Sequence, residues 1–363
     1  MKQNTIKCSN CGATLEFQPG TTKLVCPYCG AETPIETNAE DTNYLQKIPY
    51  EEFISNASNE EITDTQMVVS CPTCGAELTF PSNVVSAECA FCGTPLILKE
   101  AIEKKLIKPR AIIPFKINKK EAIEKFRTWL SKKWFAPSKA KKYSRLNEKM
   151  RGVYVPYWVF DVYTITKYTG ERGDRYQVTV TRTDSEGKTY TTTETRIRWT
   201  PVSGTIKKQY KDFTINASKS LDSKVYKHIK GGWDFAEAQP YSEQFMAGFE
   251  SHTYQITVQE GYQTAQSLIK FDLQQEVRRD IGGDEQRIHS MHIDYINPAF
   301  LLAFLPIWIS SYRYKNKTYR FVVNGQNGTV GGEYPKSWFK IMLVVLLILI
   351  VIATLLYFFT QQN

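Results

Sequence analysis

The sequence predicts an α+β protein that ends in one transmembrane helix, and three observations support this. All eight cysteines fall in CxxC pairs near the N-terminus. The middle of the chain alternates between period-two runs, typical of half-buried strands, and two amphipathic helical patterns. The last apolar run, Ile341 to Phe359, contains no charge, proline or glycine. Together these features predict a metal-binding region, a mostly antiparallel β domain and a membrane anchor.

The apolar run has the length needed to cross a bilayer. Its 19 residues form a helix of roughly 28 Å at about 1.5 Å per residue, close to the ~30 Å hydrocarbon core. A helix also pairs its backbone groups internally, as hydrocarbon requires. The alternative is a buried core helix, but such a helix is usually amphipathic, whereas this run is apolar on every face.

The residues that flank the run predict an orientation. Lys336, Trp338 and Lys340 precede it, and the four residues after it include no basic side chain. Because basic residues stay on the cytoplasmic side, we expect a cytoplasmic body, a single-pass anchor in the cell membrane and a C-terminus outside. The N-terminal MKQNTIKCSN has no apolar segment of the kind that a signal peptide needs.

The cysteine pairs repeat with one spacing. The eight residues are Cys8, Cys11, Cys26, Cys29, Cys71, Cys74, Cys89 and Cys92. The second set of four lies 63 residues after the first, and KCSNCGATLEF is matched by VSCPTCGAELTF. This pattern indicates an internal duplication rather than two chance motifs.

Two thiolates separated by two residues can point at one metal ion, and a glycine follows each pair where the turn needs a residue with few steric limits. Four thiolates make a closed tetrahedral Zn²⁺ site with no position for water. We therefore predict two zinc ribbons, residues 1–36 and 67–100, each with one structural Zn²⁺. Disulfides are the competing interpretation, but a cytosolic body keeps its thiols reduced. Iron in a rubredoxin-like site is a further alternative.

The rest of the chain divides into three predicted segments. Residues 37–66 form an acidic linker, in which Tyr44 to Ile54 packs on a ribbon. Residues 101–335 form the cytoplasmic α+β domain, and residues 336–363 the C-terminal tail anchor. The domain boundaries follow the changes in charge and in apolar patterning.

The α+β domain opens with a predicted strand at Arg110 to Ile117, followed by a helix from Lys119 to Trp134. The apolar face of this helix consists of Ala122, Ile123, Phe126, Trp129, Leu130 and Trp134. Basic side chains line the remainder: Lys119, Lys120, Lys125, Arg127, Lys132 and Lys133.

Residues 101–151 carry 17 basic and 4 acidic residues, a net charge of +13 against +9 for the whole chain. Three interpretations of the basic helix remain open. The first is an ordinary solvated face, and the second is a surface held against anionic lipid headgroups. The third is a nucleic-acid-binding surface, since basic segments with aromatic residues also bind phosphate backbones.

Further strands are predicted downstream. A hairpin joins Tyr176–Arg182 to Thr189–Trp199, and strands follow at Thr205–Ile215 and Tyr254–Val258. A second helix spans Gln263–Ile281, with Ala265, Leu268, Ile269, Leu273 and Val277 on its apolar face. A buried strand at Phe300–Tyr314 leads to a hairpin whose turn contains two Asn-Gly pairs.

A weaker repeat links the two halves of the domain. Val155-Pro156-Tyr157-Trp158 and Leu305-Pro306-Ile307-Trp308 stand 150 residues apart, and each follows a strand and an amphipathic helix. A duplicated strand–helix–hairpin unit explains this pattern, and coincidence between two aromatic strands is the alternative.

The chain resembles a bacterial family usually labelled TFIIB-type zinc-ribbon proteins. The resemblance rests on the CxxC pairs, on the strand and helix that open the α+β domain, on the two aromatic blocks that contain these tetrapeptides, and on the terminal anchor. The family is also labelled as related to the primosomal helicase PriA, and it includes YdjG-like proteins of phage-shock, envelope-stress gene clusters. The resemblance spans nearly the whole chain. It implies a membrane-associated adaptor that works with PspA-like or flotillin-like membrane proteins.

The residues argue against an enzyme. The sequence has no GxxxxGK[ST] phosphate loop, so the helicase label lacks its ATP-binding machinery. The ribbons lie in acidic regions that would repel a phosphate backbone, which weakens the transcription-factor label. His289 and His292 lack a neighbouring HExxH-type acid, and every cysteine is assigned to metal. We predict no catalytic residues and no small-molecule substrate.

Two function classes follow from the sequence. The first is a membrane-tethered cytoplasmic zinc-ribbon adaptor or scaffold with protein partners. The second is a membrane-tethered nucleic-acid-binding protein that uses the basic segment of residues 101–151.

Overall fold

The computed structural model describes residues 6–35, 44–55, 62–79, 86–89, 94–97, 101–137, 150–183, 185, 187–220, 229, 232–315 and 317–361. The described part of the chain contains four α-helices: α1 (Tyr50–Ser55), α2 (Lys119–Ser131), α3 (Val258–Ile281) and α4 (Trp338–Gln361). The fold is α+β with strands in the majority, as the sequence predicts.

Strands in the N-terminal third are short. They are β1 (Glu16–Phe17), β2 (Lys23–Val25), β3 (Glu32–Pro34), β4 (Ile48–Pro49), β5 (Thr63–Ser70), β6 (Glu77–Thr79), β7 (Ser86–Glu88), β8 (Pro95–Ile97) and β9 (Ile102–Ile107). Strands β1, β2 and β3 form one small sheet, strands β6, β5 and β9 a second, and strands β7 and β8 a hairpin. The two small sheets support the two cysteine-containing regions, here named ribbon 1 (residues 6–35) and ribbon 2 (described residues between 62 and 107).

The remaining strands build one large sheet. They are β10 (Ala111–Ile112), β11 (Arg151–Thr183), β12 (Thr189–Asn216), β13 (Gln239–Pro240), β14 (Glu250–Ser251), β15 (Glu285–Tyr314), β16 (Lys317–Asn324) and β17 (Val330–Gly332). The main order is β12-β11-β15-β10-β13, with β4, β14, β16 and β17 attached. Its long pairings are antiparallel, whereas β10 on β15 and β14 on β11 are short parallel pairs.

The central strand β11 is apolar on both faces because both are covered. Every residue from Val153 to Phe160 is buried. Val153 and Val159 belong to a cluster that includes Val69 and Leu78 of ribbon 2. On the opposite face, Tyr154 packs with ribbon 1 and α2, while Trp158 and Phe160 pack with α3. A continuous buried run therefore replaces the alternation that a sheet with one solvated face shows.

Both predicted amphipathic helices are confirmed, and each begins with a capping box. Asn118 accepts from the Glu121 backbone N–H, and Glu121 accepts from the Asn118 N–H; Thr257 and Glu260 repeat the arrangement in α3. These reciprocal bonds satisfy backbone donors that a helix start leaves open. The predicted strand at Tyr254–Val258 is wrong, because Val258 is the first residue of α3.

Helix α2 ends at Ser131, three residues before the predicted end. Ala122, Phe126 and Leu130 are buried as expected. Trp134 is different: it lies beyond the helix and is 56% exposed, so its assignment to the apolar face is wrong. The 3.6-residue period no longer applies once the backbone leaves the helix.

The predicted hairpin is confirmed: it is formed by β11 and β12, is much longer than expected, and is here named the hairpin arm. Strand β11 pairs with β12 from Tyr157 opposite Asn216 to Thr183 opposite Thr189. Salt bridges join the hairpin arm to α3, because the Lys208 ammonium lies 2.7 Å from a carboxylate oxygen of both Asp272 and Glu276. The Tyr168 hydroxyl also donates to Asp280 at 2.5 Å.

The two halves of the large sheet repeat one set of contacts around the β11–β15 pair. Val155 lies opposite Leu305, so the two similar tetrapeptides run antiparallel to one another. The Trp158 indole donates to the Ile256 carbonyl at 2.9 Å, and the Trp308 indole donates to the Ile117 carbonyl at 2.8 Å. Both acceptors lie two residues before the first residue of a helix, α3 and α2 respectively.

The backbone around each indole acceptor repeats as well. Two successive N–H groups, of Lys116 and Ile117, donate to the Gly325 carbonyl at 2.9 and 2.8 Å. In the other half, the N–H groups of Gln255 and Ile256 donate to the Ala217 carbonyl at 2.8 and 3.0 Å. The order short strand, helix, long strand, antiparallel partner strand thus occurs twice with matching hydrogen bonds, although the second partner strand, β16, has only 8 residues.

The segment from Tyr44 to Ile54 packs on the large sheet, which corrects the expectation that it packs on a ribbon. Strand β4 pairs with β15, and the Phe53 ring lies 5.1 Å from the Phe300 ring. The Lys47 side chain is 8% exposed, and its ammonium contacts Asp161 at 2.7 Å and Asp212 at 2.6 Å. Burial makes these pairings necessary, since an isolated buried ammonium would be strongly disfavoured.

Candidate metal centres

Ribbon 1 brings four thiols from two turns to one point. The Sγ atoms of Cys8 and Cys29 lie 3.6 Å apart, and those of Cys11 and Cys26 lie 3.4 Å apart. All four Sγ atoms fall within 4.8 Å of one another. Cys8 and Cys26 are buried, whereas Cys11 and Cys29 are exposed at the rim.

Each turn is built by the residues around it. The Gly12 N–H donates to the Cys8 carbonyl at 2.8 Å, and the Gly30 N–H donates to the Cys26 carbonyl at 3.0 Å. The two glycines have φ of +74° and +73°. Only glycine adopts this left-handed region at little cost, which explains why it follows each pair.

The sulfur geometry fits a tetrahedral metal ion. Zn–S bonds of about 2.3 Å place tetrahedral sulfurs roughly 3.8 Å apart. The 3.4 and 3.6 Å separations in ribbon 1 are close to that value. They are far longer than the ~2.05 Å of a disulfide bond. The donor set and its spacing therefore suit a thiolate-bound metal ion.

Backbone hydrogen bonds favour the thiolate form of the inner cysteines. The Cys29 and Tyr28 backbone N–H groups lower the pKa of Cys26 to about 6 against the opposing effect of burial. The Asn10 and Cys11 N–H groups likewise lower the pKa of Cys8. Because the thiolate is the metal-binding form, the turns prepare these ligands for a cation.

Ribbon 2 repeats the arrangement as far as the structure describes it. The Sγ atoms of Cys71, Cys74 and Cys89 cluster within 4.8 Å, with Cys74 and Cys89 3.5 Å apart. The Gly75 N–H donates to the Cys71 carbonyl at 2.8 Å, matching the turns of ribbon 1. The fourth predicted ligand, Cys92, lies outside the described residues.

Both ribbons are docked on the large sheet. In ribbon 1, the Phe17 N–H donates to the Ala247 carbonyl at 2.9 Å, and the Phe17 ring lies 5.4 Å from the Phe245 ring. In ribbon 2, Leu78 bridges to His252, and the Thr253 N–H donates to the Glu77 carbonyl at 3.0 Å. The cysteine clusters therefore belong to one packed body.

Ribbon 1 has an exposed aromatic residue, Tyr28, that a sequence argument limited to metal ligands does not identify. Tyr28 lies between the two cysteines of the second turn and is 85% exposed. The CPYC motif shows a tyrosine there, but only the fold shows that the described residues leave it exposed. A tyrosine presents a large amphipathic surface at low entropic cost, which suits protein contacts.

None of the described histidines belongs to a group of potential metal ligands. His289 and His292 are exposed on β15, near Glu171 at 3.5 Å and Asp294 at 3.1 Å respectively. His252 is buried, and its burial lowers its pKa to about 3, so its ring is neutral near pH 7. His228 lies outside the described residues. Among the described residues, only cysteines form groups of the kind that could hold a metal ion.

The basic side chains of α2 do not share one face. Lys119, Lys120 and Arg127 line a shallow surface with Ile123 and Glu124. On the other flank, the Lys125 stem approaches Gly328, and the Lys133 ammonium lies 4.6 Å from the Trp129 ring centroid. Lys132 is exposed at the helix end. The basic residues 139–149 lie outside the described residues.

Helix α4 contains the predicted membrane segment. Residues Trp338–Phe359 form a helix of 22 residues that is long and apolar enough to cross a membrane, with none of its most apolar stretch buried in the protein. Its N-terminus joins the body beside the end of α2, where the Ser337 N–H donates to the Phe135 carbonyl at 2.8 Å.

The described residues define a class: an α+β protein with two cysteine clusters fit for metal and one candidate membrane span. In sequence, the chain is similar to the uncharacterized protein YdjG of Bacillus subtilis (strain 168). The two sequences are 27% identical over 332 residues, which cover 91% of this chain and 90% of that protein. No protein-family model and no solved structure matches the chain. The TFIIB-type and PriA-like labels are not confirmed by these comparisons.

Proposed function

We propose that the protein is a membrane-tethered adaptor whose two zinc ribbons present a rigid surface to protein partners on the cytoplasmic side. The observation that carries this proposal is the docking of both cysteine clusters on one body that continues into α4. Four thiolates leave no coordination position for a substrate or water, which favours a structural role for the metal. Zn²⁺ suits this donor set, and iron is the alternative that elemental analysis separates.

Tyr28 is the proposed contact point on ribbon 1. It is 85% exposed on a turn whose two flanking cysteines belong to the cysteine cluster. Exposed tyrosines on rigid supports are common at the centre of protein interfaces. The cytoplasmic orientation of this surface is supported by Lys336 and Lys340, which precede the apolar run. An envelope-stress setting with PspA-like or flotillin-like partners stays a prediction from the resemblance.

Crosslinking in intact membranes followed by purification tests the adaptor proposal. The wild-type chain should capture a defined set of proteins that Tyr28→Ala loses while both metal ions are retained. The matched control is Tyr190→Ala, which removes a tyrosine that is 50% exposed on the hairpin arm. If both variants capture the same proteins as the wild type, Tyr28 is not a partner contact.

The same purified protein also tests the nucleic-acid alternative. Steep, salt-dependent binding of DNA or RNA by the full-length chain, with no specific protein capture, would favour it over the adaptor. The division of the α2 basic residues between two flanks supports the adaptor, because a continuous strip would fit a phosphate backbone better.

A further inference from the structure

The membrane helix is joined to the body by more than a peptide linker. The Lys340 ammonium, in the first turn of α4, donates to the carbonyls of Trp134 at 2.8 Å and Ala136 at 3.0 Å. The Ser337 N–H adds a bond to the Phe135 carbonyl between them. Three donor contacts from the base of α4 therefore hold the turn that follows α2.

Cations and aromatic rings alternate at this junction. Lys340 lies 5.9 Å from the Trp134 ring centroid, and Lys133 lies 4.6 Å from that of Trp129 and 5.7 Å from that of Tyr334. Trp134 is 56% exposed and Trp338, at the start of α4, is 75% exposed. Large exposed indoles beside lysines are unusual for a water-facing surface but typical of a membrane–water interface.

We propose that this junction binds the anionic phospholipid headgroups of the leaflet in which α4 sits. The surface, here named the anchor collar, consists of Lys132, Lys133, Trp134, Lys336, Trp338 and Lys340. Its indoles would lie at headgroup depth while the exposed ammonium groups of Lys132 and Lys336 meet lipid phosphates. The collar orients the body on the membrane and extends the proposed tethered adaptor, on which it rests.

Continuity with α4 favours lipid over nucleic acid as the occupant. Trp338 and Phe339 are exposed and lead directly into the apolar part of α4, so whatever surrounds α4 also reaches the collar. Lys119 and Lys120 lie at the opposite end of α2, about 20 Å away at ~1.5 Å per residue. They therefore provide a matched pair of lysines on the same helix but outside the collar.

The lipid specificity is tested with the full-length chain in nanodiscs of mixed phosphatidylglycerol and phosphatidylcholine. Mass spectrometry of the lipids that stay bound should show enrichment of phosphatidylglycerol. The double variant Lys132→Gln/Lys336→Gln should weaken the preference for phosphatidylglycerol roughly thirtyfold, because each lysine near an anionic surface adds to the electrostatic attraction. Lys119→Gln with Lys120→Gln should leave it within about twofold. Equal losses in both pairs, or no enrichment in the wild type, would overturn the proposal.

The depth of Trp134 is tested in the same discs with lipids brominated near the headgroup. The contribution of Trp134 to the emission is the difference between the wild type and Trp134→Phe, and this contribution should be strongly quenched. The contribution of Trp199 on the hairpin arm, obtained in the same way from Trp199→Phe, should not be quenched. Unquenched Trp134 emission would place the collar outside the interface. A collar variant that weakens DNA binding but not lipid enrichment would reassign the surface to nucleic acid.

Failure of the collar and failure of the tether are separable. A chain that does not co-elute with the discs would contradict the membrane proposal itself. A chain that co-elutes, but shows neither lipid enrichment nor Trp134 quenching, would retain the tether and contradict only the collar.

Discussion

The cysteine turns show how much a few residues can decide locally. In each described turn, the glycine after the second cysteine donates back to the carbonyl of the first, and its positive φ keeps the chain tight. The resulting backbone N–H groups point toward sulfur and lower the pKa of Cys8 and Cys26. Metal-ligand chemistry is therefore encoded within a few successive residues.

Because the two clusters are separate, removing one ligand should empty one site only. Cys26→Ser should reduce the Zn²⁺ content of the reduced protein from about two to about one per chain, since a structural site needs its four ligands. Elemental analysis after gel filtration measures this content. Ser9→Ala, in the neighbouring turn, is the control and should keep both ions. A Cys26→Ser protein that still holds two ions would contradict the assignment.

At the scale of elements, the sequence repeat in the two tetrapeptides corresponds to a repeated contact. Trp158 and Trp308 occupy the same position in the two halves, and each indole bonds a carbonyl ahead of a capped helix. The strand predicted at Tyr254–Val258 was wrong because its apolar residues precede and begin a helix. Short apolar runs do not distinguish the two structures.

The equivalence of the two tryptophans predicts equal sensitivity to substitution. Trp158→Phe and Trp308→Phe should each lower the free energy of unfolding by about 1–3 kcal/mol, because each leaves a carbonyl without its indole donor. Thermal unfolding of the full-length chain in detergent measures the effect. Trp199→Phe, on the partly exposed arm, should change the midpoint little. A large loss in only one of the first two variants would show that the halves are not energetically equivalent.

At the scale of the whole molecule, direct contacts join the two ribbons, the large sheet and α4. Ribbon 2 covers one face of the β11–β15 pair, while ribbon 1, α2 and α3 cover the other. The anchor joins at the end of α2 through Lys340 and Ser337. The start of α4 therefore contacts the segment that follows α2, and α2 in turn packs in the same apolar cluster as ribbon 1 and the large sheet.

The orientation of this assembly is a prediction from Lys336 and Lys340, which precede the apolar run. A tag before Met1 should be protected from protease in intact cells, and a tag after Asn363 should be cleaved, because basic flanks stay in the cytoplasm. Permeabilised cells serve as the control, in which both tags should be cleaved. An N-terminal tag that is accessible in intact cells would reverse the topology and remove the reason for expecting reduced thiols.

Sequence alone determined the features whose physical cause is local. The sequence predicted the ligand spacing, the glycines after each pair, both amphipathic helices and the length of the apolar run. Each of these features depends only on neighbours within about one or two turns of the chain. The strand at Phe300–Tyr314 was readable for a similar reason, since burial on both faces leaves a continuous apolar run.

The tertiary structure decided what depends on distant partners. It placed Tyr44–Ile54 on the large sheet rather than on a ribbon, through Lys47 and residues more than 100 positions away. It exposed Trp134 and set it against Lys340, and it divided the basic residues of α2 between two flanks. The periodicity of the sequence does not contain this information, because a side chain becomes buried or exposed only when remote segments pack together.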